Sequence, residues 1–305
     1  MNIGWIGVGN IGLPMARHLI DAGHRLTVHD LVKDNALPLL EMGATWADSP
    51  EKASTSNEVV VMSLPMPDDV EKVCFGDNGI LNGLKPGNIV VDMSTNSLEM
   101  VRSIENRFRK NGIEFLDSPV SGGVEGANST DLVVLVGGSQ NTFNKVECLL
   151  KLIGKNVNFC GPIGAGTICK LSHQLLAMSI LQIGGEILTL GIKAGVDLDI
   201  LADSISKGVM GKVPPLGRFY QDVFNGNLEG TDTSFYLGLA AKDIKLANDM
   251  ARQIDVPLTI GSAVEEILVE AMNRGWQKKN FPAIVQLQEE KTGVELRTNK
   301  SVQID

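Results

Sequence analysis

The sequence predicts an α/β N-terminal domain with a doubly wound sheet, followed by an all-α C-terminal domain. Within residues 1–160, short β-branched and apolar runs alternate with helical patterns, as expected for a parallel sheet with helices on both faces. After Gly161-Pro162 the pattern is helical, with almost no strand signal. We therefore expect one domain at residues 1–162 and a helical substrate and dimerisation domain at residues 163–305. The predicted strands are Asn2–Ile6, Arg25–His29, Val59–Leu64, Asn88–Asp92, Ile113–Leu116 and Leu132–Val136, with helices such as Leu13–Ala22 and Leu98–Asn111 between them.

The composition excludes several classes of function. The chain has 305 residues, 43% of them hydrophobic and 21% charged, which is ordinary for a soluble globular protein. Its net charge of −9 disfavours a nucleic-acid partner and an anionic membrane surface. The four cysteines lack the spacing of a metal site, so we expect no metal and reduced thiols. The first predicted strand begins at residue 2, which leaves no room for a signal peptide and favours a cytoplasmic location.

The second domain is predicted to begin with a long interdomain helix near Thr167 to Ala194. About 28 residues at 1.5 Å each make a rod of roughly 42 Å. Gln182 and Glu186 interrupt its apolar character, so a core helix is favoured over a membrane span. The helix is apolar nearly all round and must be buried on several sides. A small helical domain cannot wrap such a rod alone, which predicts a homodimer or homotetramer.

A glycine-rich loop follows the first predicted strand and precedes the first predicted helix. Gly7 permits a tight turn, Gly9 lets the backbone approach a pyrophosphate, and Gly12 allows the helix to pack closely on the strand. The free N–H groups and the dipole at the helix N-terminus favour a phosphate there. This Rossmann-type arrangement predicts a dinucleotide cofactor. The predicted contacts from the loop are Gly7, Val8, Gly9, Asn10, Ile11 and Gly12.

Asp30, at the end of the next predicted strand, favours NAD over NADP. A carboxylate at this place accepts hydrogen bonds from the adenosine ribose and repels a 2′-phosphate. Lys33 lies nearby and would suit that phosphate, so NADP stays open.

Two further loops are expected to face the cofactor, because ligands bind outside the carboxyl ends of parallel strands. One contains Leu64 and Pro65, and the other contains Ser94 and Thr95. An alternative role for Ser94 or Thr95 is an N-cap of the helix Leu98–Asn111, which would not exclude a cofactor contact.

A third loop carries Ser121, Gly122 and Gly123. The serine hydroxyl and the glycine N–H groups suit a substrate carboxylate. A plain glycine-rich turn is the alternative interpretation.

Lys170 is the candidate general acid/base. A lysine serves at neutral pH when desolvation or nearby cations lower its pKa. His173 and Gln174 follow at i+3 and i+4, so all three are expected near one helix face, with the latter two contacting substrate. The alternatives are a solvated surface lysine and a core histidine.

These motifs together resemble the β-hydroxyacid dehydrogenase family, the 6-phosphogluconate dehydrogenase-like group of 3-hydroxyisobutyrate dehydrogenase and tartronate semialdehyde reductase. The matching stretches are Gly7 to Ala16, Asp117 to Gly123, Gly164-Ala165-Gly166 with Lys170, and Lys242 to Ala247. The resemblance implies Lys170 as general acid/base, Ser121, Gly122 and Gly123 on the substrate carboxylate, and Thr95 and Lys242 at the cofactor. Without it, Lys242 would be interpreted as a solvated helix lysine.

The chain departs from the family at the positions after the lysine, where the usual asparagine is replaced by His173 and Gln174. The sequence therefore predicts an NAD(P)-dependent oxidoreductase that interconverts a small 3-hydroxyacid and its semialdehyde or oxo acid. The alternatives are an imine reductase and a catalytically silent nucleotide-binding module.

Overall fold

The computed structural model describes residues 1–171, 173, 190–208, 223, 225–229, 236–238, 240, 241, 244, 248, 252 and 255–292. It divides into two compact units, Met1–Leu175 and Leu176–Asp305. The domain boundary at 162/163 stays a prediction.

The first unit is built on one sheet with the strand order β3-β2-β1-β4-β5-β6-β8-β7, and β9 pairs with β8. The order reverses beside β1, so the carboxyl ends of β1 and β4 open a crevice in which ligands bind in such sheets. The strands are β1 Asn2–Ile6, β2 Arg25–His29, β3 Thr45–Trp46, β4 Val59–Met62, β5 Ile89–Asp92, β6 Glu114–Asp117, β7 Val120–Ser121, β8 Val133–Gly138 and β9 Asn156–Gly161.

Helices cover both faces of the sheet, as the unbroken apolar strands require. One buried cluster joins Trp5 and Val61 to Leu19 of α1 and Leu150 of α8. A second joins Val60 and Val90 to helices of the other face. The helices of this unit are α1 Gly12–Asp21, α2 Leu37–Glu41, α3 Pro50–Ser54, α4 Pro67–Phe75, α5 Ile80–Gly83, α6 Leu98–Lys110, α7 Gly123–Ser129, α8 Gln140–Ile153 and α9, residues 165–171.

The predicted doubly wound α/β fold is confirmed, with one difference in strand direction. The bounds of β1 and β2 agree with the prediction, and the other four predicted strands end within two residues of it. The sheet is not wholly parallel, because β8 runs antiparallel to β6 and β7. Only residues 122–132, which contain α7, connect β7 to β8. This connection is shorter than the crossover that two neighbouring parallel strands need, so β8 runs antiparallel to β7.

The second unit is helical in its described part, as predicted. Its helices include α10 Leu198–Lys207, α11 Thr259–Asn273 and α12 Val285–Thr292. Leu228, Leu237, Leu268, Ala271 and Leu287 belong to its buried core. Most of the predicted long helix near Thr167 to Ala194 lies outside the described residues. In the part of the chain that is described, no helix has both the length and the apolar character needed to cross a membrane.

Candidate dinucleotide and reaction site

The three glycines of the first loop serve two different purposes. A Cβ at Gly7 would lie 2.3 Å from the Ser63 carbonyl oxygen, and one at Gly12 would lie 2.1 Å from the Gly7 carbonyl oxygen. Gly7 also has a φ of +88°, in the left-handed region that favours glycine. A Cβ at Gly9, by contrast, would meet no protein atom within 4 Å. The fold itself therefore requires Gly7 and Gly12, whereas Gly9 leaves a backbone surface open for a ligand.

A pocket of about 610 Å³ lies over this loop at the carboxyl ends of β1, β2 and β4. Its walls include the predicted residues Gly7, Gly9, Asn10, Ile11, Gly12, Asp30, Leu64 and Pro65. Val8 does not line it, because its side chain is buried in the core. Size, position and the open backbone at Gly9 fit a dinucleotide whose pyrophosphate lies at the N-terminus of α1.

Asp30 also stabilises the glycine loop through hydrogen bonds, a role that the sequence did not indicate. Its Oδ2 accepts a hydrogen bond from the Val8 N–H at 2.8 Å, and its Oδ1 accepts from the Val32 N–H at 2.9 Å. The Asn35 side-chain amide also donates to Oδ1 at 3.1 Å. The carboxylate thus fixes the glycine loop against the end of β2. The lone pair that these three bonds leave on Oδ2 suits a ribose hydroxyl of a dinucleotide.

Other residues of the pocket were missed by the sequence analysis. Leu31 is 94% exposed and lies beside Asp30, where it presents an apolar surface to the pocket. Asp69, Lys72 and Val73 of α4 also line the pocket. Their i, i+3, i+4 spacing on the helix after the Leu64 loop was a usable signal. Lys33 does not line the pocket, and its Nζ lies 5.5 Å from the ring centroid of Trp46.

The loop after β5 is held by a buried carboxylate. Asp92 accepts hydrogen bonds from the Ser94 N–H at 3.0 Å and from the Asn96 side-chain amide at 2.7 Å. The predicted contact Thr95 is exposed between them. The suggested capping by Ser94 or Thr95 is wrong. Ser97 is the N-cap of α6, and its Oγ accepts from the Met100 N–H at 3.1 Å.

The Ser121 loop meets the helical segment that carries Lys170. The Ser121 Oγ lies 3.1 Å from the His173 Nε2, so the two side chains share a hydrogen bond. Gly122 and Gly123 are exposed and have φ values of +136° and +65°. A Cβ at Gly123 would meet no protein atom within 4 Å. The loop therefore presents a hydroxyl and open backbone next to the imidazole of His173.

Lys170 is buried, with only 8% of its surface exposed, so a solvated surface lysine is the wrong interpretation. Burial lowers the pKa of its ammonium group below the ordinary lysine value, because desolvation disfavours the charged form. His173 lies one turn further along and is exposed, so a core histidine is wrong as well. Two predicted residues, Gln174 and Lys242, lie outside the described residues.

The sheet and the glycine loop define a dinucleotide-binding domain of the Rossmann type, and comparison with known proteins identifies its family. The family model described as the NAD binding domain of 6-phosphogluconate dehydrogenase matches residues 2–161. A model described as NAD-binding of NADP-dependent 3-hydroxyisobutyrate dehydrogenase matches residues 164–288. The mitochondrial 3-hydroxyisobutyrate dehydrogenase of Rattus norvegicus is 34% identical over 95% of this chain and 88% of its own.

The chain belongs to the β-hydroxyacid dehydrogenase family, the family of 3-hydroxyisobutyrate dehydrogenase. It is an NAD(P)-dependent hydroxyacid dehydrogenase, which confirms the predicted family, enzyme class and cofactor.

Solved structures agree with the fold. A 3-hydroxyisobutyrate dehydrogenase of Mycobacterium tuberculosis, solved with L-serine, is 27% identical with a TM-score of 0.64, over 94% of this chain and 98% of that one. An imine reductase variant of Myxococcus stipitatus, solved with NAD+, has a TM-score of 0.83 at 19% identity, over 94% and 99%. At 19% identity this likeness shows the fold alone.

The two kinds of glycine can be separated by matched substitutions. Gly12→Ala should destabilise the fold by about 1–3 kcal/mol, because its Cβ would overlap the Gly7 carbonyl. Gly9→Ala should unfold at the wild-type temperature yet bind NADH at least tenfold more weakly. Thermal unfolding and NADH fluorescence titration measure the two effects. Unchanged NADH affinity in Gly9→Ala would mean that the dinucleotide does not cross this residue.

Proposed function

We propose that the protein is an NAD-dependent 3-hydroxyacid dehydrogenase, or the corresponding semialdehyde reductase in the reverse direction, with Lys170 as its general acid/base. The observation that carries this proposal is the burial of Lys170 one turn from His173, whose imidazole shares a hydrogen bond with Ser121. The name of the Rattus norvegicus relative makes 3-hydroxyisobutyrate the first substrate to test.

The substrate carboxylate binds the Ser121 hydroxyl and the N–H groups of Gly122 and Gly123. Hydrogen bonds to a charged group contribute about 1.5–3 kcal/mol each, enough to orient a small acid. The exposure of both glycines and the space at Gly123 support this placement.

Lys170 moves the proton. Bound NAD supplies the hydride acceptor for the carbon that carries the hydroxyl. The neutral amine of Lys170 takes the hydroxyl proton during oxidation, and the ammonium returns it during reduction. A lowered pKa increases the neutral fraction near pH 7, which favours oxidation there.

NAD is the proposed cofactor. The Asp30 carboxylate lies in the pocket wall, while Lys33 lies over Trp46 instead. The 2′-phosphate of NADP would therefore lie near the Asp30 carboxylate without the Lys33 ammonium to offset the repulsion. We also propose a cytoplasmic homodimer or homotetramer, as the sequence analysis predicts.

A substrate screen tests the function directly. With purified enzyme we expect 3-hydroxyisobutyrate or another small 3-hydroxyacid to reduce NAD faster than NADP at equal concentrations, followed at the absorbance of the reduced cofactor. Turnover of a cyclic imine without any hydroxyacid would favour imine reduction. Tight NADH binding without turnover of either class would favour the silent module.

Replacing Lys170 tests the proton carrier. Lys170→Ala should lower kcat by two or more orders of magnitude while NADH binding is retained, because only proton transfer is lost. In the wild type, kcat/KM for oxidation should rise with pH through a pKa below the ordinary lysine value, and this limb should vanish in the variant. Lys110→Ala, an exposed lysine at the end of α6, is the matched control. Near-wild-type turnover in Lys170→Ala contradicts the role.

Replacing Ser121 tests the carboxylate site. Ser121→Ala should raise KM for the hydroxyacid about tenfold or more, because a hydrogen bond to a charged group is lost. KM for NAD should stay the same. Ser129→Ala removes a hydroxyl at the far end of α7, whose Oγ donates to the Glu125 carbonyl, and should change neither constant. Equal KM values in Ser121→Ala and Ser129→Ala would place the carboxylate elsewhere.

A further inference from the structure

The carboxylate of Asp92 is buried at the end of β5, with 1% of the residue exposed. Its Oδ1 accepts from the Ser94 N–H and its Oδ2 from the Asn96 amide, as described above. These two residues flank Thr95 in the chain. One carboxylate therefore holds the Ser94 backbone on one side of a predicted cofactor contact and the Asn96 side chain on the other.

Ser94 extends this connection to the neighbouring loop. Its Oγ accepts a hydrogen bond from the Leu64 N–H at 2.9 Å. Leu64 lines the dinucleotide pocket, and its side chain lies 3.0 Å from the place of a Cβ at Gly7. One continuous set of contacts thus joins Asp92, Ser94, the Leu64 loop and the glycine loop.

The charge on Asp92 is costly for the fold. Burial raises the pKa of its carboxyl to about 6, with a smaller contribution in the same direction from Asp117. The titratable groups that act on it in the described part of the chain are the carboxyl of Asp117 on β6 and the buried thiol of Cys74 on α4. No ion pair with Asp92 occurs among the described residues. A neutral amide would avoid this cost, and it would keep two hydrogen bonds once the Asn96 side chain turned so that its Oδ1, which has no partner among the described residues, accepted from the new NH2 group. Stability alone therefore does not account for a carboxylate here.

We propose that Asp92 is a positioning residue for the cofactor, which holds Thr95 and the Leu64 loop in their binding geometry through Ser94 and Asn96. Its contribution lies in charge-assisted hydrogen bonds, which are roughly twice as strong as neutral ones. The role rests on the proposed placement of Thr95 and Leu64 at the cofactor. It does not depend on the identity of the hydroxyacid or on the role of Lys170.

The test is the isosteric variant Asp92→Asn, assayed by NADH fluorescence titration and thermal unfolding. We expect the Kd for NADH to rise about three- to tenfold. At pH 8 the melting temperature should stay the same or rise, because the variant removes a buried charge. That gain should shrink as the pH falls below about 6, where the folded wild type takes up its own proton, and should be gone near the ordinary carboxyl pKa of about 4.

Asn57→Ala supplies the matched structural control. The Asn57 amide is buried and donates to the Ala53 carbonyl at 2.7 Å, away from the pocket lining. Its loss should lower the melting temperature and leave the Kd for NADH unchanged. If Asp92→Asn behaves in the same way, or changes neither quantity, the positioning role is wrong.

Ser94→Ala provides a second variant that keeps the test decisive should Asp92→Asn fail to fold. It removes the acceptor of the Leu64 N–H and should weaken NADH binding severalfold. Unchanged NADH affinity in a folded Ser94→Ala protein overturns the proposal. Because NADH binding needs neither substrate nor Lys170, these results are independent of the catalytic proposal.

Discussion

The start of the helix that carries Lys170 is fixed to the sheet by one carboxylate. Asp117, the last residue of β6, accepts hydrogen bonds from the Gly164 and Thr167 N–H groups, each at 2.7 Å. These donors would otherwise be unpaired at the helix N-terminus. Burial raises the pKa of this carboxyl, and the two N–H groups oppose that shift. Since Lys170 follows Thr167 by one turn, the sheet determines where its amine can lie.

Two glycines leave the space that these hydrogen bonds of Asp117 need. A Cβ at Gly166 would lie 2.2 Å from the Leu135 carbonyl oxygen, and one at Gly137 would lie 2.4 Å from the Asp117 Oδ1. Asp117 is also the register partner of Asp92 on β5. At two adjacent strand ends, the Asp92 carboxylate thus holds the loops after β4 and β5, through Ser94, and the Asp117 carboxylate holds the start of the helix that carries Lys170. The charge of Asp117 contributes to the raised pKa of the Asp92 carboxyl, so this arrangement of two buried carboxylates is kept at a cost in stability.

The sequence could predict what local patterns encode. β1, the glycine loop and Asp30 lie close together in the chain, and their turn chemistry is diagnostic. The strands β3 and β7 were missed because each has two residues, and β9 because it is a partly exposed edge strand. The apolar run of β8 does not indicate the direction of the strand, so its antiparallel pairing could not be predicted. The bonds from Asp117 to Gly164 and Thr167 span 47 and 50 residues, so no local pattern could indicate them.

The pairing of Ser121 with His173 has a consequence for the binding of an anion. A serine hydroxyl has one proton, so it cannot donate to a substrate carboxylate and to an imidazole at once. When the substrate carboxylate accepts the hydrogen bond from the hydroxyl, as proposed, His173 must donate Nε2–H to the Ser121 oxygen. Anion binding at Ser121 therefore selects the tautomer of His173 that carries its proton on Nε2. The family usually carries an asparagine three or four residues after the lysine, where this chain has His173 and Gln174. With a histidine beside Ser121, carboxylate binding depends on the tautomer of one ring.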